Sequence, residues 1–149
     1  MASNREQVLV AVRARLRAIL QAEGFRTNVG QAVFLNEVPD LGPDDPDEII
    51  AMVVGTDQPR YQGMQVFIDL PIEIQAVAKA DLDDPYLTVE AVLADVKEAI
   101  ELEDRTLNGL VKHQIERGPT RTLPREPGST TVGVAIMYGF PYTEVYGAP

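Results

Sequence analysis

The chain has 149 residues, 45% of them apolar, with 13 basic residues against 23 acidic ones and no cysteine. That length fits one domain spanning 1–149 that buries roughly two-thirds of its unfolded surface, and a formal charge of −10 repels nucleic acid. No apolar run reaches the roughly 18 residues of a membrane span, the first residues lack the apolar core of a signal peptide, and without cysteine there is neither a disulfide framework nor thiolate chemistry.

Ser3-x-x-Glu6 reads as a capping box, in which the serine oxygen accepts a backbone N–H and the glutamate reaches back. Val8, Leu9, Val12, Leu16, Ile19 and Leu20 follow at helical spacing, and Gly24 supplies a left-handed stop. A helix is predicted from about Asn4 to Glu23. Ala32 to Leu35 reads as a short strand. Pro39 to Asp47, rich in Pro, Gly and Asp, reads as a loop. Ile49 to Val54 reads as a strand covered on both faces, and Gly55 to Gly63 as a polar connection.

Met64 to Lys79 alternates with period two. Val66, Ile68, Leu70, Ile72, Ile74, Ala76 and Ala78 share one face; Gln65, Asp69, Glu73, Gln75 and Lys79 share the other. Pro71 removes a ladder donor, which predicts a bulge, an edge or a break there. A strand this long is expected to project beyond the domain or to bend at Pro71.

A second helix starts at Asp84-Pro85 or Thr88 and ends near Asp104. Val89, Val92, Leu93, Val96 and Ile100 form its apolar stripe, and Glu90, Asp95, Lys97, Glu98 and Glu101 its polar face. Leu110 to Glu116 reads as a strand and Arg117 to Ser129 as a long polar loop, mobile in a free subunit and ordered on assembly. Thr130 to Tyr138 reads as a last strand, followed by an aromatic tail with Phe140, Tyr142 and Tyr146. The order α-β-β-β-α-β-β gives an α+β fold: a mainly antiparallel sheet of about five strands, two helices packed on it, and a long hairpin arm.

Candidate chemistry is sparse. His113, the lone histidine, alternates with Val111 and Ile115 and is better read as a packed or interface residue than as a catalytic base, since no nucleophile pattern accompanies it. The acidic loop Asp40 to Glu48 lacks the ordered ligand spacing of a calcium loop, so a solvated loop or a charged partner surface outweighs a metal site. No glycine-rich phosphate loop is present. Arg117, Arg121 and Arg125 recur on the late loop. They could fork onto carboxylates of a neighbouring subunit, touch DNA phosphates, or simply be solvated.

The whole pattern resembles the tail terminator proteins of long-tailed phages and prophages. The resemblance rests on Gly24-Phe25-Arg26-Thr27 with Val29-Gly30-Gln31-Ala32-Val33, and on the strand ending Ile74-Gln75-Ala76-Val77-Ala78-Lys79-Ala80. Leu93-Ala94-Asp95-Val96-Lys97-Glu98-Ala99-Ile100, Arg121 to Arg125, Pro127-Gly128-Ser129 and Tyr142-x-x-x-Tyr146-Gly147 continue it. It implies a subunit of a hexameric ring that caps the tail tube, stops its growth and offers a surface to the head connector. It implies no cofactor and no catalysis, and a place in the virion tail after assembly in the host cytoplasm. Its partners would be further copies of itself, the major tail tube protein and the head–tail connector protein, with DNA only passing through the channel. On this reading Arg117, Arg121, Arg125, Tyr142 and Tyr146 are expected at subunit or tube interfaces, and Asp69 and Glu73 on an acidic or neutral channel wall. A head–tail connector or tail-completion protein is the neighbouring alternative. A small ligand-binding domain or enzyme with carboxylates around Asp81 to Asp84 is the more distant one.

Overall fold

The computed structural model describes residues 1–38, 44–125 and 127–149. The first helix, α1 (Asn4–Arg17), opens on the capping box: Glu6 N–H donates to Ser3 Oγ at 3.2 Å and Ser3 N–H to Glu6 Oε2 at 2.7 Å. It ends six residues earlier than the spacing predicts. A 3₁₀ turn, Gln21–Glu23, follows, and Gly24 closes that turn with φ +93°, not the helix itself. A second 3₁₀ turn, Val29–Gln31, brings Gly30 N–H to Ile19 O at 3.0 Å.

Six strands form one sheet: β1 (Val33–Leu35), β2 (Ile49–Val54), β3 (Gln58–Gln62), β4 (Gln65–Lys79), β5 (Glu116–Thr122) and β6 (Thr131–Val145). Their order is β1-β2-β4-β6-β5, with β3 paired to β4 beyond the end of β2. Among the described strands only β1 and β2 run parallel. With the second helix, α2 (Pro85–Glu101), this is the predicted α+β class.

Several details depart from the sequence reading. Gly55 to Gly63 is not merely a connection, because it contains β3. A two-residue turn with Gly63 at φ +64° folds β3 back on β4. Leu110 to Glu116 is not a strand: only Glu116 belongs to one, as the first residue of β5, and the residues before it continue a run of turns and bends in which Leu107, Asn108 and His113 take positive φ. His113 is therefore exposed, while Val111 and Ile115 are buried. Most of the first half of the supposed loop Arg117 to Ser129 is β5, with a bulge between Arg117 and Thr120 where Pro119 cannot donate. The aromatic tail is the continuation of β6, which pairs with β4 from Lys79↔Thr131 to Gln65↔Val145. Asp40 lies outside the described residues.

Pro71 causes no bulge in that ladder. Its carbonyl accepts from Gly55 N–H at 2.8 Å, so its backbone faces the β2–β3 side. β2 ends opposite Ile72 and β3 begins opposite Asp69. The proline thus occupies the break between two partner strands, where a missing donor costs no ladder bond.

Both helices share one core with the sheet. Val8, Val12 and Leu16 of α1 and Val89, Val92, Val96 and Ile100 of α2 pack with the alternate residues Val66 to Ala78 of β4 and Val132 to Tyr142 of β6. The far half of the hairpin does not project, since Val66, Ile68, Leu70, Phe140 and Tyr142 are buried in that core. Asp95, assigned to the polar face of α2, is fully buried. Its carboxylate accepts from Arg26 N–H at 3.1 Å, Thr27 N–H at 2.8 Å and Thr27 Oγ1–H at 2.7 Å, which secures the segment after Gly24 against α2. Among the described residues neither helix covers the opposite sheet face. There Phe67, Pro71, Val77, Met137 and Pro141 are half-buried beside Glu73 and Gln75.

Candidate assembly surface

Two of the three arginines expected on a free arm, Arg117 and Arg121, are held by carboxylates of their own chain. Register on β6 directs Arg117 toward the end of α2, where Nε donates to Glu101 Oε2 at 2.9 Å and Nη2 to Oε1 at 2.6 Å. Tyr138 Oη donates to the same Glu101 Oε2 at 2.6 Å. Partial burial of Glu101 works against its charge. The bonds from Arg117 and Tyr138 outweigh it and hold the carboxyl below its ordinary range. The tyrosine is pushed upward by its burial and by Glu101.

Arg121 lies opposite Ala135 on the face without helices, and its Nη2 donates to Glu73 Oε1 at 2.8 Å. Gln75 Nε2 donates to the same oxygen at 2.7 Å. These bonds, from Gln75 first and Arg121 second, lower the Glu73 carboxyl. The Glu73 side chain is only 20% exposed, whereas Arg121 remains 54% exposed. Asp69 is exposed on the same strand face. Arg125 lies past the end of β5 and donates to Ser129 O at 2.6 Å.

Tyr142 is not a surface residue. It is 2% exposed, its hydroxyl is buried without a hydrogen-bond partner, and the nearby Arg5 holds Asp57 at 2.8 Å instead. That corrects its assignment to an interface. Tyr146 is exposed and meets Tyr61 edge-on, ring centroids 6.2 Å apart. Tyr146 N–H donates to Met64 O, so the end of β6 closes over the β3–β4 turn. Arg60 and Lys112 stand over the Phe67 ring at 5.8 and 5.9 Å from its centroid. The sequence reading missed this tip because it missed β3. The available signal was Gly63 between two short runs with β-forming Tyr61 and Val66.

At the other end of β4, Leu82, Tyr86 and Leu87 are exposed among Asp81, Asp83, Asp84 and Glu90. Asp81 N–H donates to Thr88 Oγ1 at 3.0 Å and Asp83 N–H to Asp81 Oδ1 at 3.0 Å, which shapes the entry to α2. An open groove of about 410 Å³ lies beside it, lined by Arg26, Thr27, Glu48, Lys79, Asp81 and Thr88 among others. Opposed charges line it without a buried, converging polar set of the kind small-ligand sites use. Among the described residues no group of three or more His, Asp or Glu could hold a metal ion, and no helix is long and apolar enough to cross a membrane. No protein-family model matches the sequence, and no curated protein matches it either.

Proposed function

We propose that this chain is a phage tail terminator: a non-enzymatic virion protein that forms a ring, hexameric by the family resemblance, on the end of the tail tube. It stops tube growth and presents the surface that the head connector joins. The observation that carries the reading is the distribution of exposed apolar side chains. Tyr61, Met64, Val145 and Tyr146 cluster at one end of the sheet and Leu82, Tyr86 and Leu87 at the other, and grouped exposure of this kind marks association surfaces. Asp69 and Glu73, on the face without helices, remain the proposed channel-facing residues.

Co-assembly with the tube protein tests it. Tube lengths measured by electron microscopy are expected to shorten and become uniform as this protein is added. Tubes that keep growing at saturating amounts of it would sink the terminator assignment.

A further inference from the structure

Of the four asparagines in the chain, one differs from the rest. The side chains of Asn4, Asn28 and Asn36 are hydrogen-bonded, to Thr143 O, to Gln21 and to Val54 N–H. The Asn108 side-chain amide has no hydrogen-bond partner among the described residues. It is exposed, and it alone precedes a glycine. Gly109 is exposed too, with open space where a Cβ would stand. The pair takes φ +59° and +83°, a left-handed conformation that asparagine and glycine tolerate.

The Gly109 nitrogen heads a hydrogen-bonded relay. Its N–H donates to Thr106 Oγ1 at 3.1 Å, and Thr106 Oγ1–H donates onward to Asp104 Oδ1 at 2.6 Å. Asp104 is fixed in that position. Its carboxylate also accepts from Thr106 N–H at 2.8 Å and from Asn108 N–H at 3.1 Å, and its carbonyl accepts from Arg15 at 2.8 Å. An unpartnered side-chain amide thus adjoins a backbone nitrogen whose proton has a path to a carboxylate.

We infer that Asn108 is a site of self-modification, where the Gly109 nitrogen attacks the Asn108 side-chain carbon and the amide becomes a carboxylate. The proton of Gly109 N–H passes through Thr106 Oγ1 to Asp104, in the manner of general base catalysis. A bond forms between the Gly109 nitrogen and Asn108 Cγ. The bond from Cγ to the side-chain nitrogen breaks, and that nitrogen recovers the proton and leaves as ammonia. Water then adds to one of the two carbonyls of the cyclic imide and opens it, to aspartate or to isoaspartate. Water is the only co-reactant. Thr106 touches the reacting nitrogen, and Asp104 acts through Thr106 as a positioning residue.

The conversion has a structural consequence. Val111 N–H donates to Thr106 O at 2.8 Å and Leu110 N–H to Leu107 O at 3.2 Å, both across the Asn108–Gly109 bond, and Leu107 and Val111 are buried. Isoaspartate carries the backbone through the side-chain carbon, adding a methylene between these partners, and loosens both bonds. The site stands whether or not the chain forms a ring.

The full-length protein is aged in warm, mildly alkaline buffer, digested and followed by peptide mass spectrometry. Conversion at Asn108 is expected to run at least tenfold faster than at Asn4, Asn28 or Asn36, with isoaspartate among the products. Amide hydrogen exchange at Leu110 and Val111 is expected to quicken in the converted fraction. Asn108→Gln is expected to stop the conversion. Thr106→Val is expected to slow it at least threefold and Thr106→Ser to keep it. The chain unfolded in guanidinium chloride, which retains the Asn108-Gly109 pair but not the relay, is expected to convert more slowly than the folded protein. Conversion no faster at Asn108 than at the other three asparagines overturns the inference. So does faster conversion in the unfolded chain, or Thr106→Val protein that converts at least as fast as the wild type.

Discussion

Glu101 gathers three parts of the chain onto one carboxylate. It ends α2, receives the guanidinium of Arg117 from β5 and the hydroxyl of Tyr138 from β6. Its folded pKa lies below the ordinary 4.5, and so does that of Glu73. A depressed folded pKa contributes stability above the unfolded value and loses it as pH falls through the folded one. The urea midpoint is therefore expected to hold from neutral pH to about 4.5 and to drop below it. Glu101→Gln is expected to cost about 1 kcal/mol at pH 7, a value kept small because the carboxylate is partly solvated. It should also flatten the acid limb. An unchanged acid limb in this variant would show that Glu101 is not among the groups that titrate. Nothing in the spacing of Glu101, Arg117 and Tyr138 announces the cluster, because charge patterns along a chain do not report which strands become neighbours.

At the scale of elements, hydrophobic period was the dependable signal. It gave the buried face of β4 residue for residue and the stripe of α2, while a continuous apolar run gave the strand β2. It failed where a strand carries no buried face. All five residues of β3 are exposed and β5 is nearly so, so neither has an alternation to read, and Pro59 and Pro119 speak for loops in both. It also misplaced Asp95, since a polar residue beside an apolar stripe reads as solvated unless its backbone partners are known. The junction between α1 and the 3₁₀ turn Val29–Gln31 depends on one absent side chain. A Cβ at Gly30 would lie 2.3 Å from Leu16 O and 2.8 Å from Ile19 O, both backbone atoms that cannot swing aside. Gly30→Ala is expected to destabilise by about 2–3 kcal/mol through that overpacking, lowering Tm by roughly 5–10 °C in a domain of this size. Calorimetry checks it; a shift under two degrees would mean that the turn yields freely.

For the molecule as a whole, the fold class was legible and the proposed assembly surface was not. Two amphipathic helices and a period-two strand define α+β, but surfaces at the two ends of the sheet join residues such as Tyr61 and Tyr146 that are far apart in sequence. The charge of −10 has its own consequence. Acidic residues outnumber basic ones 23 to 13, and Arg5, Arg117 and Arg121 already hold carboxylates of the chain. The purified protein is expected to bind duplex DNA at physiological salt no more tightly than non-specific contacts allow. Fluorescence anisotropy decides it: a steep fall of affinity with salt would place several cations on phosphates and contradict an acidic or neutral channel.

The tip is also the part of the fold whose contacts span the most chain. Asn4 Nδ2 donates to Thr143 O at 2.7 Å across 139 residues of chain, and Tyr61 meets Tyr146 at the end of the β4–β6 ladder that lies farthest along the chain from the connection between the two strands. Contacts of such long range wait on loop closure and form late. Nascent or half-folded copies would therefore lack the finished tip. If copies associate through this end, as the proposed ring reading has it, association would wait on the completed fold.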